Sequence, residues 1–228
     1  MIEKISIVIR AKDEDEWIGT CLLSISQQKI PFKLEVILVD SGSIDETISI
    51  ANKFGVQLIN YGDEVFNYSK ALNKGFEAAT GDIIVCLSAH CIPVNRNWLS
   101  ELVKPFNDIN IVASYGRQLP TLSSEPIDRR DLLTVFGVED RHQAEDFFFH
   151  NANSAIRKTT WNVYQFDENI HGLEDRFWAK EILSADCGII AYCSRASVYH
   201  QHGLNQSNDP DRVVRIVKLL DVLFDDEN

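Results

Sequence analysis

The sequence predicts an α/β domain: a mostly parallel sheet flanked by helices, then an α+β half and a C-terminal amphipathic helix. Three observations predict it. Short apolar runs rich in β-branched residues alternate with segments of helical spacing from Ile5 to Ser88. Those runs are apolar nearly throughout, as strands covered on both faces are. Polar clusters stand at the ends of three of them: Arg10-Ala11-Lys12-Asp13, Asp40-Ser41-Gly42-Ser43 and Ser88-Ala89-His90.

The elements follow in order. "ISIVIRA" (5–11) is the first strand. Residues 17–27 form a helix, with Trp17, Ile18, Cys21, Leu22 and Ile25 on one side. "KLEVILVD" (33–40) is the second strand, and Asp45 is placed to cap a helix over 46–54. "GVQLINY" (55–61) is the third strand. A helix over 69–79 stops at Gly81, and "DIIVCLS" (82–88) is the fourth strand. This rhythm implies βαβ units with right-handed crossovers. Open sheets of this kind bind ligands beyond the carboxyl ends of their strands, where the three polar clusters fall.

After Pro93 the rhythm changes. A helix is expected over 97–106, a strand at "IVASYGRQ" (111–118) and a loop at "PTLSSEPIDRRD" (120–131). "DFFFHNANSAIRK" (146–158) reads as a short strand with a polar exit. A helix begins near Glu174, and "GIIAYCSRASVYH" (188–200) is the last strand. The tail from Asp209 to Phe224 is amphipathic: Val213, Val214, Ile216, Val217, Leu220 and Leu223 are separated by Arg212, Arg215 and Lys218. Such a helix packs on its own domain or on a twin subunit, making a homodimer, or it lies on a membrane surface. The expected organisation is one domain over 1–206, with halves 1–95 and 96–206, then the helix and an acidic tail over 207–228.

The chain has 228 residues, 45% apolar and 25% charged, and a net charge of −12. That charge argues against wholesale nucleic-acid binding, which needs clustered Lys and Arg. Five cysteines at irregular spacing, with no Cys-x-x-Cys pair, read as reduced core thiols. The N-terminal stretch turns acidic where a secretion signal would stay apolar, and no run approaches the ~18 apolar residues of a membrane span. The expected setting is therefore cytoplasmic, with contact at the inner membrane face left open.

Several residue groups carry potential chemistry. Asp40 is a hydrogen-bond acceptor at a strand end, or a turn former. Glu174 and Asp175 open a helix, where the dipole favours carboxylates and one could serve as a general base. His200 and His202 follow the last strand. With His90 at another strand end, they suggest imidazole ligands for a metal. Asn67, Tyr68, Lys70 and Asn73 lie at a helix start that favours an anion. Asn151, Asn153 and Arg157 are candidates to line an acceptor pocket, and Phe147 to Phe149 are read as core.

Taken together, "VDSGSIDET", "ATGDII", "GLEDRFWAKEI" and "ASVYHQHG" resemble the family 2 glycosyltransferases of the GT-A fold, over roughly Ile5 to Gly203. The resemblance implies a nucleotide-binding half and an acceptor-binding half. It also implies inverting transfer of a sugar from a nucleoside diphosphate, such as UDP, to a glycan or lipid-linked acceptor in bacterial surface polysaccharide synthesis. By the same resemblance, Arg10, Ala11 and Asp13 line the nucleotide pocket, although relatives often carry Asn where Asp13 stands. Asp40 contacts the nucleoside, and Lys70 and Asn73 flank the base and diphosphate. Asp175 is the catalytic base with Glu174 beside it, and His200 or His202 is a metal ligand. Relatives usually place Asp-x-Asp where this chain has Ser88-Ala89-His90. Two readings follow: His90 replaces a carboxylate on Mn or Mg, or no metal binds and His90 contacts the diphosphate directly. Ser88 and Ala89 then border the donor. A non-catalytic nucleotide-sugar-binding or scaffold subunit is the alternative. A nucleotidyltransferase is disfavoured because no glycine follows the first strand before Gly19.

Overall fold

The computed structural model describes residues 2–62, 64–201 and 210–225. Nine strands of the described residues form one sheet, and helices cover both faces. The first four strands are β1 (Lys4–Ala11), β2 (Lys33–Asp40), β3 (Gln57–Asn60) and β4 (Ile83–Ser88). They lie in the order β3-β2-β1-β4, all parallel. β5 (Cys91–Pro93), β6 (Ile111–Pro120), β7 (Arg141–Gln143), β8 (Asn153–Arg157) and β9 (Ile189–His200) extend the sheet beyond β4. There the pairing is mixed. β8 runs antiparallel to β4 and β6, β9 runs parallel to β6, and β5 and β7 pair antiparallel with β9. The two sequence halves thus share one sheet.

β1 shows why the runs are apolar. Ile5, Ile7 and Ile9 face a layer built from α1 (Asp15–Ser26), α2 (Thr47–Asn52) and α4 (Trp98–Val103). Val8 points the other way, into a layer with α3 (Tyr68–Ala78), α6 (Lys158–Trp161) and α7 (Glu174–Ser184). Each fully buried Ile is worth about 1.5–3 kcal/mol relative to exposure. The layers sit close. A Cβ on Gly75 of α3 would lie 2.4 Å from Val8 Cγ1, so only glycine lets this helix reach the sheet.

The sequence reading holds for β1–β4, α1, α3 and α7. It fails at 120–131, taken for a loop. Residues 126–135 form α5 (Pro126–Val135), with Pro126 in its first turn, where the missing N–H costs nothing. β5 and β7 were not foreseen, because three residues carry no period. Asp45 does accept the Thr47 N–H at 2.9 Å, and it also accepts that of Asp15 at 3.0 Å, tying two loops together.

α8 (Pro210–Phe224) packs on its own domain. Lys180 Nζ donates to the Leu223 carbonyl at 2.6 Å, and the Phe147 and Phe224 rings stand 5.2 Å apart. Val213, Val214, Val217 and Val222 are exposed on it. No helix of the described residues is long and apolar enough to cross a membrane.

Two candidates for the acceptor pocket are structural instead. Arg157 donates to the carbonyls of Phe106, Asp108 and Ile111. Asn153 is fully buried; it accepts from Trp98 Nε1 at 2.9 Å and donates to the Ala196 carbonyl at 2.8 Å. Asn153→Leu keeps the volume but strands both groups, at about 1–3 kcal/mol each. The variant is expected to unfold at clearly lower denaturant than the wild type; an unchanged midpoint would refute this role.

Candidate functional site

Register brings the polar strand ends together. Ala11 pairs with Asp40, and Arg10 pairs with Ser88, so β1, β2 and β4 finish at one level. A cavity of about 490 Å³ opens there, within the size range of small-molecule sites. Arg10, Ala11, Lys12, Glu14, Ser41, Ser88 and His90 form its sheet side. His150, Asn151, His171 to Arg176 and His200 face them, with Phe66 and Tyr68 at one end. Arg215, Ile216 and Leu220 of α8 form a further wall.

The candidate base is held by an unusual backbone. Gly172 and Leu173 have φ of 118° and 56°, and Leu173 is one of three non-glycine residues with positive φ among the described residues. Such a position costs about 1–3 kcal/mol and turns the chain sharply into α7. Glu174 and Asp175 in the first turn are both buried. Asp175 accepts the Asn151 N–H at 3.0 Å and its neighbour Arg176 N–H at 2.9 Å, which fixes its carboxylate. Glu174 is different. Burial, and then the charge of Asp175, push its carboxyl up to about 7, against the pull of Arg10. Near neutrality Glu174 is therefore only partly ionised.

Arg10 lies 4.8 Å from the centre of the Tyr68 ring. Arg176 stacks on Phe148 at 4.9 Å, and its buried Nε finds no acceptor among the described residues. With Lys12 and Arg215, these cations surround the space in front of the carboxylates. Of the three phenylalanines read as core, Phe149 is fully buried.

The remaining predicted residues divide. Asp13 and Asp40 do not line the cavity; they build its rim. Asp40 accepts the N–H groups of Gly42 and Ser43 and the Ser43 hydroxyl, at 2.9, 3.0 and 2.5 Å. Asp13 sits at φ 53°, a region Asp and Asn enter most readily, and accepts the Ile44 N–H at 2.8 Å. This explains how Asp can stand where Asn is common. Lys70 pairs with Glu64 outside the cavity. Asn73 is buried against Trp161, Phe166 and Glu168, and Ala89 is buried beside the site. His202 lies outside the described residues.

His90 and His200 meet. Their rings are 5° from parallel, with Nε2 atoms 3.2 Å apart. His90 Nδ1 lies 2.8 Å from Glu14 Oε1, and His200 Nδ1 lies 2.8 Å from Gln118 Oε1. These residues fit a divalent cation. Two nitrogens bound about 2.1 Å from one ion at roughly 90–110° stand about 3.0–3.4 Å apart. Each ring also turns its other nitrogen to an oxygen acceptor, as metal-bound imidazoles do. No group of three or more His, Cys, Asp or Glu of the described residues comes together as a metal site. Among the described residues the protein's share would be two imidazoles, with phosphate oxygens and water able to add to the shell.

Sequence reasoning missed Glu14, Gln118, His150, His171, Arg176 and the inward-facing Arg215. Glu14 lay in a solvated-looking acidic run, and Gln118 was the last residue of an expected strand.

Comparison with known proteins agrees with this architecture. The mannosyltransferase PcManGT from Pyrobaculum calidifontis, solved with GDP-Man and Mn2+, superposes with a TM-score of 0.73 at 20% identity, covering 97% of this chain and 63% of that one. The fold is that of the GT-A glycosyltransferases. The profile of Glycosyl transferase family 2 matches residues 6–172, and the chain belongs to that family. It is 31% identical over 179 residues to the O-antigen chain rhamnosyltransferase WbaN of Salmonella anatum, covering 74% of this chain and 56% of that protein. It is 27% identical over 212 residues to the O-antigen chain rhamnosyltransferase RfbN of Salmonella typhimurium, covering 87% and 67%. The chain thus spans between about half and two thirds of the length of these relatives.

The raised Glu174 carboxyl has a consequence for stability. Its folded value exceeds the unfolded value near 4.5, so the native state holds the proton more tightly. The resulting stability is complete below the unfolded value and fades as pH rises through about 7. Glu174→Gln imitates the protonated form. Wild type and variant should melt together near pH 3.5, below the unfolded value. By pH 8.5 the wild type should be less stable by on the order of 3 kcal/mol. Parallel melting curves across that range would contradict the assignment.

Proposed function

We propose that this chain is a glycosyltransferase domain that moves a sugar from a nucleoside-diphosphate donor to a hydroxyl of a glycan or lipid-linked acceptor in surface polysaccharide assembly, inverting the anomeric carbon. One observation carries the reading. Three parallel strand ends meet around a single cavity, and the Glu174-Asp175 turn faces them across it. The Salmonella relatives, named as O-antigen rhamnosyltransferases, support the acceptor class.

The residues divide the work. Tyr68, with Arg10 on its face, offers a stacking surface for a base, and Ser41 and Ser88 offer hydroxyls to a ribose or phosphate. Arg10 and Lys12 supply positive charge for the diphosphate. Asp175, fixed by two backbone N–H groups, takes the proton of the acceptor hydroxyl. The acceptor oxygen then bonds to the anomeric carbon as the bond to the diphosphate breaks and its electron pair leaves with the nucleotide. Glu174, partly protonated near neutrality, lessens the second negative charge beside the incoming nucleophile. Ile216, Leu220 and Phe66 give the cavity apolar walls that exclude water.

His90 and His200 would hold a divalent cation, which when bound supplies positive charge at the donor diphosphate. Two imidazoles in place of carboxylates favour Mn over Mg.

Asp175→Asn is expected to lower transfer by about 10²–10⁴-fold while leaving nucleotide binding intact. Wild-type turnover in that variant would remove Asp175 from the role. In thermal-shift measurements UDP, GDP and dTDP are compared with and without Mn2+. The preferred nucleotide should stabilise the wild type more when Mn2+ is present, and His200→Ala should lose the Mn2+-dependent part. An equal Mn2+ effect in that variant would place the ion elsewhere.

A further inference from the structure

Two of the cations that line the cavity lack an anion of their own. Arg176 and Arg215 form no ion pair among the described residues, although Arg176 directly follows Asp175. Arg176 turns instead to Phe148, with its guanidinium carbon 4.9 Å from the ring centre. That ring is held in place. The Phe148 N–H donates to Asp146 Oδ1 at 2.9 Å, and its carbonyl accepts from Gln143 Nε2 at 3.0 Å. The ring itself packs against Tyr115 and Phe136. A guanidinium resting on an aromatic face keeps its N–H groups along its edges, where they can meet a second group. The Arg176 Nε is buried and finds no acceptor among the described residues, a state that folded proteins rarely leave standing. Nε and one terminal nitrogen share an edge that matches the two oxygens of a carboxylate or phosphate.

The position of this edge says whose oxygens they are. The strand ends carry their own cations, Arg10 and Lys12, beside the histidine pair. Arg176 lies across the cavity in the first turn of α7, and its backbone N–H holds the candidate base. Arg215 comes from α8, which packs against the same turn: a Cβ on Gly172 would lie 3.4 Å from Ile216 Cδ1. We propose that Arg176, together with Arg215, binds an anionic group of the acceptor, a phosphate or a carboxylate, and thereby selects acceptors that carry one. The proposal rests on the reading of Asp175 as the base of a glycosyltransferase. A neutral acceptor leaves the buried Nε unmet, and a site built to bond one group rejects the analogue that lacks it. The two arginines also offset the repulsion that a charged acceptor meets from Asp175.

The test is isothermal titration calorimetry with the nucleotide preferred in the thermal-shift comparison at saturation, so that the donor site is filled. The probes are galactose 1-phosphate, methyl galacturonide and neutral methyl galactoside, with their glucose and mannose counterparts. The quantity read is the affinity for a charged probe divided by that for its neutral counterpart, from which any change common to both cancels. In wild type at least one charged probe should bind about 10–100-fold more tightly than the neutral one. Arg176→Gln should bring that ratio close to one. Arg176→Lys, which keeps the charge without the two-pronged edge, should retain part of it, and Arg215→Gln should lower it less. Preference for a 1-phosphate supports the proposal with a phosphorylated acceptor; preference for a uronide supports it with an acidic sugar. A ratio near one in wild type, or a preference undiminished in Arg176→Gln, overturns it, and the transfer reading stands so long as a nucleotide stabilises the protein. A wild type that no nucleotide stabilises removes that reading and this inference together. Should Arg176→Gln fail to fold, Arg215→Gln on the exposed side of α8 decides, and an undiminished ratio there overturns the proposal.

Discussion

Everything at the cavity depends on the pairing of β1 with β2 on one side and β4 on the other. Parallel strands in register must end together, so a polar exit on one is level with the polar exits of its neighbours. The buried interior of the sheet holds that alignment. Ile5, Ile7 and Ile9 lock one layer and Val8 the other, so a slip of one residue would exchange the two faces. The loops beyond the strands are then tied by short side chains. Asp13, Asp40 and Asp45 are used up on backbone N–H groups of their own and neighbouring turns. They form the frame, and the groups that line the cavity on this side include Arg10, Lys12, Ser41, Ser88 and His90.

Across the cavity the protein faces an electrostatic problem: two adjacent carboxylates are buried in one helix turn. It solves it by treating them unequally. Asp175 receives two backbone N–H groups, and Glu174 is partly protonated near neutrality. The twisted backbone at Gly172-Leu173 stores strain to aim this turn, and the burial of Trp178, Ala179 and Ile182 behind it anchors the helix.

Much of this was legible in the sequence, for identifiable reasons. β1, β2 and β4 are covered on both sides, so their runs are apolar from end to end and stop abruptly at polar residues. Glu174-Asp175 stood out as a charged pair before an amphipathic run. Other features arise only from contacts distant in sequence. β5 and β7 exist because β9 is there to pair with them. α5 hid behind Ser123, Ser124 and Pro126, which read as loop, although proline suits a helix start. Asp40, Lys70 and Asn73 looked like ligand contacts because their types are right. Three-dimensional neighbours claim them first: the Ser43 turn, Glu64, and the Phe166–Glu168 segment. Gln118 carried no signal. Its meaning comes from His200, 82 residues away.

One wall of the cavity has a separate origin. The sheet and its loops supply the nucleotide side and the carboxylates, but Arg215, Ile216 and Leu220 come from α8, which contributes no strand. That helix also abuts the turn it faces: a Cβ on Gly172 would lie 3.4 Å from Ile216 Cδ1, and Lys180 of α7 donates to the Leu223 carbonyl.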